Sequence, residues 1–306
     1  AFVEEHVDTS DEWIRQRTGI AERRFCGEGE ATSDMCIAAA KSALEHAGIT
    51  AEEVALIVVG TGAPGQVLPA VAPLVQAAIG AKNAAAFDVV AACTGFLTAL
   101  STGECFLAAG KGKTALVLGA ETLSRFLDLE DRTSCILFGD GAGAAVLKRF
   151  EEPHPGEILK TSLGSDGEGY HFIQMLGGGS RRPSSHETVD AREHAIRVKG
   201  RDVYRFAVTT MERSVAEMLE GHDMDELGML VPHQVNQRII DAAVEKLEIP
   251  AERVMVNIQK YGNTSAASVP IALDEAAREG RLERGKLVVM VAFGAGLNWG
   301  GALVRW

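Results

Sequence analysis

Apolar residues follow two patterns along the chain, and the two patterns alternate. Continuous runs that are rich in β-branched residues are typical of strands that are buried on both faces. In the first half we predict such strands at 54–60, 85–92, 114–121 and 135–149. Apolar residues at helical spacing predict helices at 33–47, 70–79 and 94–109. The third helix carries almost no charge, and a helix that is apolar all round belongs deep inside a protein.

The second half repeats the order of the first. Its predicted strands are 227–233, 254–258, 286–293 and 299–306, and its predicted helices are 200–220, 236–247 and 265–279. The stretch EEVALIVVGTG at 52–62 resembles MDELGMLVPHQ at 224–234, and an apolar helix that ends in glycine follows each at a similar distance. Two copies of one βα unit, 1–150 and 151–306, are the simplest account. Helices would then cover both faces of each sheet, with the two apolar helices enclosed between the sheets.

Two local patterns lie outside this repeat. The sequence TSDE at 9–12 is typical of a capping box in which Thr9 caps the helix and Glu12 closes the box. Residues 151–190 are rich in Gly, Pro, Ser and His, which predicts a loop-rich segment at the start of the second half.

Composition and charge narrow the class of protein. Of the 306 residues, 46% are hydrophobic and 24% are charged, as in an ordinary globular protein. No apolar run reaches the ~18 residues that a membrane helix needs, and the acidic start is no signal peptide, so we expect no membrane association. A net charge of −12 argues against nucleic-acid binding. Five irregularly spaced cysteines predict neither a disulfide framework nor a zinc site, which favours a reducing cytoplasmic compartment.

Three polar residues end or follow predicted strands. Cys93 lies where a strand feeds a helix, and the helix N-terminus would favour its thiolate form, whereas Cys105 on the same helix is predicted to be buried and structural. His233 ends a strand, and Asn263 precedes the second apolar helix. Because ligands bind at the carboxyl ends of strands in α/β sheets, the first cysteine, the histidine and the asparagine would meet in one pocket. Taken alone, each also has a structural explanation, which for His233 and Asn263 is the better one.

Cysteine, histidine and asparagine are also the catalytic residues of papain-like hydrolases. The separation of 140 residues between Cys93 and His233 does not exclude that class. The duplicated βα pattern and the apolar helix after the cysteine argue against it. The glycines at 139–145 resemble a dinucleotide-binding loop, but they lie in a hairpin pattern with no helix after them, so we reject that interpretation.

Six blocks resemble the β-ketoacyl-acyl-carrier-protein synthase III family, in the family's order and over nearly the whole chain. They are VDTSDEWIRQRTGI, AACTGF, FGDGAGAAVL, VPHQVNQRII, KYGNTSAASVPIALDEA and FGAGLNWGGALVRW. The resemblance implies an α/β protein with the thiolase-like five-layer αβαβα fold in two duplicated halves, working as a homodimer. It implies the condensation that starts fatty-acid synthesis, in which acyl-coenzyme A and malonyl-acyl carrier protein give a 3-ketoacyl-acyl carrier protein, CO2 and coenzyme A. No metal or cofactor is implied, since the coenzyme A thioester is a substrate.

The resemblance also implies roles for single residues in the pocket. Cys93 would take up the acyl group, and His233 and Asn263 would donate hydrogen bonds to the thioester oxygen of the enolate that decarboxylation produces. The acyl oxyanion would bind the backbone N–H of Cys93 and one from the loop Gly294–Gly296. The same matching positions imply that the pocket is lined by Leu68, Phe293, Gly294, Ala295 and Gly296.

Two further sets of residues carry over from the family. Coenzyme A would bind to Trp13, Arg17 and Arg132, since an indole offers a face for adenine and guanidinium groups offer forks for phosphate. The acidic acyl carrier protein would bind to Arg205, Asn236 and Arg238.

The sequence departs from the family pattern in three places. The strand and glycine turn that usually precede the equivalent of Val7 are missing, so either the chain is incomplete or the first sheet lacks a strand. Leu68 stands at a position where the family often has a Phe that reaches the acyl pocket of the partner subunit, and this change leaves longer or branched starters open beside acetyl. The loop at 165–190 is longer than in shorter members, and either lies near the substrate entrance or is plain surface.

Two alternatives to this function stay open. A polyketide-type relative would use another acyl donor in the same fold. A protein that only binds acyl carriers would not need the intact cysteine, histidine and asparagine, which argues against it.

Overall fold

The computed structural model describes residues 2–152 and 154–306. Two four-stranded sheets form its frame. The first sheet contains β1 Leu56–Gly60, β2 Ala85–Val89, β3 Thr114–Thr122 and β4 Asp140–Lys148. After β5 Glu157–Ser165 come a short pair, β6 Ile173–Gln174 and β7 Arg197–Val198, and then β8 Leu227–Pro232, β9 Leu287–Gly294 and β10 Asn298–Arg305. The second sheet is built from β5, β8, β9 and β10.

The described residues form ten α-helices, which alternate with the strands. Those of the first half are α1 Asp11–Thr18, α2 Thr32–Ala47, α3 Val71–Ile79, α4 Gly95–Ala108 and α5 Arg132–Cys135. Those of the second half are α6 His186–Asp190, α7 Gly200–Met218, α8 Gln237–Lys246, α9 Ile258–Tyr261 and α10 Ser268–Arg278. Among the described residues, none of these helices combines the length and the apolar character needed to cross a bilayer.

The two sheets share one topology, which confirms the predicted duplication of the fold. In the first sheet the order is β2–β1–β3–β4, with parallel pairs except for β3 and β4. In the second, β8 and β9 are parallel and β9 and β10 antiparallel, so they repeat β1, β3 and β4. A fourth strand, β5, lies antiparallel along the outer edge of β10. No described strand occupies the corresponding edge of β4.

Alternate side chains of the central strands face different layers of helices. In β1, Leu56 and Val58 face a central cluster that contains α4 and α10, while Ile57 and Val59 face an outer cluster with α2 and α3. In β9, the same alternation turns Met290 to the central cluster and its neighbours to α7 and α8. The layers are therefore helix, sheet, helix, sheet and helix, as predicted.

The two central helices are entered through the same backbone turn. Ala92 has φ 47° just before Cys93, and Ser265 has φ 50° just before Ala266. Each residue opens a short 3-10 turn that leads directly into α4 or α10. A left-handed conformation costs a non-glycine residue about 1–3 kcal/mol, so both halves hold local strain at the centre of the molecule. Gly119 of β3 packs against the second turn, where a Cβ atom would collide with the carbonyl oxygen of Ala266.

The predicted strand at 254–258 is wrong. Only a single bridge joins Leu230 and Val254 in parallel, at the place that β2 occupies in the first half. Asn257 N–H then donates to the side-chain oxygen of Gln234 at 2.9 Å. A side chain thus takes over the hydrogen bond that would have continued the ladder.

Other predicted boundaries also need correction. The strand predicted at 135–149 begins only at Asp140, because Asp131 caps the short helix α5 by accepting the N–H of Thr133 at 2.9 Å. The first helix is capped by Ser10 rather than Thr9, since Ser10 Oγ accepts the Trp13 N–H at 3.1 Å.

Cys105, predicted to be buried, is exposed. Leu107 in the same turn of α4 is buried, so the C-terminal end of this helix has an outer face that its apolar composition did not reveal.

Candidate active site

A cavity of about 290 Å³ lies where the carboxyl ends of the central strands of both sheets meet. Cys93, His233 and Asn263 all line this cavity, as the position of each at a strand end or helix start predicts. The first comes from the first half of the chain and the other two from the second. The sulfur, the imidazole and the amide are thus brought to one place by the duplication.

The Cys93 side chain is half-buried, and its surroundings are weakly polar. Burial raises the pKa of the Cys93 thiol to about 11, and a hydrogen bond from Ser265 Oγ to the sulfur at 3.4 Å acts in the opposite direction. The thiolate that the helix start predicts therefore has burial acting against it. Donors around the sulfur must offset the cost of burying its charge.

The end of β9 passes directly beside the cysteine. A Cβ atom at Gly294 would lie 2.9 Å from Cys93 Sγ and 3.1 Å from Cys93 N, so a side chain there would fill the space around the sulfur. Glycine is required because the main chain itself forms this wall of the site. The backbone of Gly294 is thus close enough to the sulfur to contact a group bound to it.

His233 is completely buried and offers one ring nitrogen to the cavity. Burial lowers the pKa of His233 to about 3, so its imidazole is neutral at neutral pH. Nδ1 lies 2.6 Å from Ser268 Oγ, whereas Nε2 is buried without a hydrogen-bond partner among the described residues. The hydroxyl of Ser268 also accepts the N–H of Gln234 at 3.4 Å. A serine that accepts there can donate its own proton to Nδ1, which leaves the histidine proton on Nε2.

Asn263 is oriented by its own backbone turn. Its Oδ1 accepts the N–H of Ser265 at 2.8 Å. Because an N–H group must face an oxygen, this bond assigns the two ends of the amide and leaves the Nδ2 group as the end that can donate. His233 and Asn263 can therefore both act as neutral hydrogen-bond donors.

Two residues next to Cys93 were not predicted from the sequence. Glu121 lines the cavity from the end of β3, and Ser265 Oγ lies 3.2 Å from its Oε1 atom. A charged residue at the end of the apolar run TALVLGAE was a signal that could have identified Glu121, because carboxylates are rarely buried without a reason. Ser265, two residues after Asn263, carries no comparable signal.

The predicted pocket residues divide into two groups. Phe293, Gly294 and Ala295 line the cavity, and the ring of Phe293 meets His233 edge-on, with 5.7 Å between ring centroids. Gly296 does not line it. Leu68 also lies outside the cavity of its own chain and is 83% exposed.

The loop-rich segment contributes to the wall of the cavity. Ile173, Gln174 and Met175 line it from one side, next to residues of α7. Part of the segment at 165–190 is therefore at the cavity rather than plain surface.

The residues predicted to bind coenzyme A form one cluster. The guanidinium group of Arg132 lies 4.8 Å from the ring centroid of Trp13, and that of Arg17 lies 5.7 Å from it. Both arginines are exposed, and in the described part of the chain no carboxylate pairs with either. Two unpaired cations and an aromatic ring are a suitable surface for a nucleotide phosphate.

The residues predicted to bind the acyl carrier protein lie on adjacent helices. Arg205 on α7 and Arg238 on α8 are exposed. Asn236 lines the cavity and also has a structural role, since its Oδ1 accepts the N–H of Arg238 at 3.0 Å and caps α8.

Comparisons with known proteins identify the family of this chain. The family model described as 3-oxoacyl-[acyl-carrier-protein (ACP)] synthase III matches residues 87–167, and the model of its C-terminal part matches residues 219–306. The β-ketoacyl-[acyl-carrier-protein] synthase III of Clostridioides difficile (strain 630) is 50% identical over 305 residues, covering 99% of this chain and 92% of that protein. The protein of the same name from Desulfitobacterium hafniense (strain Y51) is also 50% identical, over 306 residues and the same shares of the two chains.

Solved structures give the same result. The crystal structure of 3-oxoacyl-[acyl-carrier-protein] synthase III from Aquifex aeolicus VF5 is 46% identical, with a TM-score of 0.90 over 99% of this chain and 94% of that one. The priming β-ketosynthase of the R1128 polyketide pathway is 38% identical, with a TM-score of 0.89 over 99% and 90%. In both sequence and fold, this chain belongs to the β-ketoacyl-acyl-carrier-protein synthase III family of condensing enzymes.

Proposed function

We propose that this enzyme starts fatty-acid synthesis by joining an acyl group from acyl-coenzyme A to malonyl-acyl carrier protein. The observation that carries the proposal is the convergence of Cys93, His233 and Asn263 on one cavity. A nucleophile with two neutral donors suits a reaction that stores an acyl group and then stabilises an enolate. Hydrolysis of peptides, the papain-like alternative, needs a histidine that accepts a proton, and burial works against that in His233.

The first half-reaction is transfer of the acyl group to Cys93. The sulfur attacks the thioester carbonyl, the bond to coenzyme A breaks, and the departing thiolate of coenzyme A takes up the proton that the Cys93 thiol loses. The main chain at Gly294, next to the sulfur, and the N–H of Cys93 are the groups we assign to the developing oxyanion.

The second half-reaction is decarboxylative condensation. Malonyl-acyl carrier protein loses CO2, and the electrons of the broken bond form an enolate. The enolate attacks the acyl-cysteine and expels the Cys93 thiolate, which takes up a proton from solvent to restore the thiol. His233 Nε2–H and Asn263 Nδ2 donate to the enolate oxygen. Asparagine suits this role and aspartate does not, because a carboxylate would repel the developing negative charge. Phe293, which is 2% exposed, helps to keep water from the malonyl carboxylate.

Substrates reach the cavity across a surface that is locally basic on an acidic protein. The cluster of Trp13, Arg17 and Arg132 would hold coenzyme A, and Arg205 and Arg238 would attract the acidic carrier protein. Local basicity is needed because the net charge of −12 repels anions on average. Five free cysteines fit a reducing cytoplasm.

The homodimer belongs to the same proposal. An apolar edge is exposed along β2 and the segment before α3: Val67, Leu68, Phe87 and Val90 are 87%, 83%, 40% and 81% exposed. A patch of this kind indicates a protein interface. Leu68 would then reach the acyl pocket of the partner and help to set the starter length. We also propose that 1–150 and 151–306 are the two duplicated units, because the strands of each sheet fall within one of them.

A polyketide-type priming reaction is the second candidate. It is favoured by the similarity to the priming β-ketosynthase of the R1128 polyketide pathway, which is 38% identical. The two candidates differ in the acyl donor they prefer.

The test uses the purified enzyme, a series of acyl-coenzyme A starters from acetyl to longer and branched chains, and malonyl-acyl carrier protein. The mass of the Cys93 peptide reports acylation, and the 3-ketoacyl product reports condensation. We expect Cys93→Ser to block acylation, and Asn263→Ala to accept the acyl group but lose malonyl decarboxylation. Full condensation activity in both variants would show that the assignment is wrong, and a preference for a starter other than acetyl would favour the priming reaction.

A further inference from the structure

We propose that Glu121 is a positioning residue for Cys93 and acts through the hydroxyl group of Ser265. The three side chains form a hydrogen-bonded row, with 3.4 Å from Cys93 Sγ to Ser265 Oγ and 3.2 Å from there to Glu121 Oε1. The inference deepens the proposed function, because it concerns how the cysteine that would be acylated is kept reactive.

Glu121 is a carboxyl group in a place where a negative charge is costly. It is 1% exposed, and within the described residues no lysine, arginine or histidine forms an ion pair with it. Its partners are neutral donors: the N–H of Gly62 lies 3.2 Å from both oxygens, and the hydroxyl of Thr61 lies 3.4 Å from Oε2. A buried carboxyl group without a cation is neutralised by taking up a proton.

The protonation state of Glu121 follows from these surroundings. Burial raises the pKa of Glu121 to about 8, although hydrogen bonds from Gly62, Ser265 and Thr61 act to lower it. The carboxyl group is therefore mainly protonated at pH 7, and it can donate as well as accept. Cys93 from the turn before α4 and Cys36 from α2 are the titratable groups coupled to it, and His233 lines the same cavity. Burial raises the pKa of Cys36 far above neutrality and keeps His233 uncharged, so Cys93 is the group that responds.

The row can be arranged in only two ways, because a serine hydroxyl has a single proton to donate. When Glu121 is protonated, its O–H donates to Ser265, and Ser265 donates to the cysteine sulfur, which stabilises the thiolate. When Glu121 is ionised, Ser265 turns its proton to the carboxylate, and the sulfur loses a donor and faces a negative charge. The carboxyl group and the thiol therefore titrate as a coupled pair.

The backbone fixes Ser265 in this place. Its φ of 50° and the bond from its N–H to Asn263 Oδ1 at 2.8 Å hold the residue in the turn before α10. The equivalent residue of the first half is Ala92, with φ 47°. Alanine thus fits this conformation, and Ser265→Ala removes the hydroxyl group without changing what the backbone requires.

The experiment measures alkylation of Cys93 by iodoacetamide from pH 6 to 10, followed by the mass of the Cys93 peptide. In the unmodified enzyme we expect the rate to rise with pH and to flatten near pH 8, where Glu121 ionises. Glu121→Gln still donates to Ser265 through its amide but does not ionise, so its rate at pH 7 should stay within about threefold and the flattening should disappear. Ser265→Ala should lower the rate at pH 7 by roughly 10- to 100-fold, because a hydrogen bond to a charged group is lost.

Ser214→Ala is the matched control, since Ser214 is a buried serine whose hydroxyl has no hydrogen-bond partner among the described residues. It should keep the profile of the unmodified enzyme. The proposal is overturned if Glu121→Gln keeps the flattening near pH 8, or if Ser265→Ala reacts like the control. If Glu121 had only a structural role, Glu121→Gln would lower the alkylation rate at every pH and leave the shape of the pH profile unchanged. Iodoacetamide needs no acyl donor, so an enzyme that shows the expected profile but accepts no acyl group would refute the proposed function alone.

Discussion

Replacing Ser268 by alanine tests how the proton of His233 is placed. Ser268 Oγ lies 2.6 Å from Nδ1 of an imidazole that is 0% exposed, so no solvent replaces the lost partner. A buried polar atom that loses its partner costs about 1–3 kcal/mol. Because the neutral ring has one N–H, the preference for keeping that proton on Nε2 falls by the same amount. At about 1.4 kcal/mol for each factor of ten, the enolate-forming step should slow by about 5- to 150-fold.

The assay separates the two half-reactions. Acylation of Cys93 by acetyl-coenzyme A, read by intact-protein mass, should stay within about twofold, while release of CO2 from malonyl-acyl carrier protein falls. Ser101→Ala is the control, since Ser101 lies on the other central helix and its Oγ contacts Thr161 Oγ1 at 3.3 Å. A Ser268→Ala enzyme that releases CO2 at the normal rate would refute the argument. So would an equal loss in both half-reactions with a lowered melting temperature, which would mean a general structural defect.

Three further predictions address the site and its surroundings. The pKa of His233 is about 3 in the folded enzyme and near 6.5 in the unfolded chain, so between these values only the unfolded chain binds the extra proton. The free energy of unfolding should therefore rise with pH across that window, with a contribution from His233 of up to about 1.4 kcal/mol per pH unit. Urea titrations at several pH values should show this slope, and His233→Asn should lower it by the contribution of His233; a variant with an unchanged slope would contradict the neutral assignment. Gly294→Ala should abolish acylation, because the added Cβ would lie 2.9 Å from Cys93 Sγ, and mass spectrometry that still finds acyl-enzyme at the normal rate would refute this. Arg132→Ala should raise the KM for acyl-coenzyme A by about 5- to 50-fold, in a salt-dependent way and with little change in kcat. The control Arg201→Ala, on the exposed start of α7, should leave the KM unchanged. Equal KM values for the two variants would contradict the assignment of the coenzyme A cluster.

The architecture could be predicted because the pattern of apolar residues along the chain indicates which strands and helices are buried. Strands such as β1 and β9 are buried on both faces, so they appear as uninterrupted β-branched runs, and the repeat of such runs with helices between them indicates the layers. Boundaries that depend on one side chain could not be predicted. The side chain of Gln234 accepts the N–H of Asn257 where a strand after Val254 would have continued the ladder, and Ser10 rather than Thr9 caps the first helix. Both outcomes depend on three-dimensional geometry that the sequence does not display.

The cavity could be predicted only in part. Residues at strand ends are expected to converge, and this places Cys93, His233 and Asn263 together. The row formed by Glu121 and Ser265 depends on a contact across 144 residues of chain, which no local pattern reveals. The same is true of the cost of burying Cys93, since the helix start is visible in the sequence and the surrounding layers are not.

The paired turns at Ala92 and Ser265 have a consequence for how such a protein can change. Each half keeps the same main-chain path, but the first supplies the sulfur and the second supplies the hydroxyl beside it. The space left by Gly119 of one half is filled by the Ala266 carbonyl of the other. A replacement at either turn must therefore fit the facing residue of the other half. A chimera that joins the leading half of one relative to the trailing half of another inherits a mismatched centre unless both turns are exchanged together.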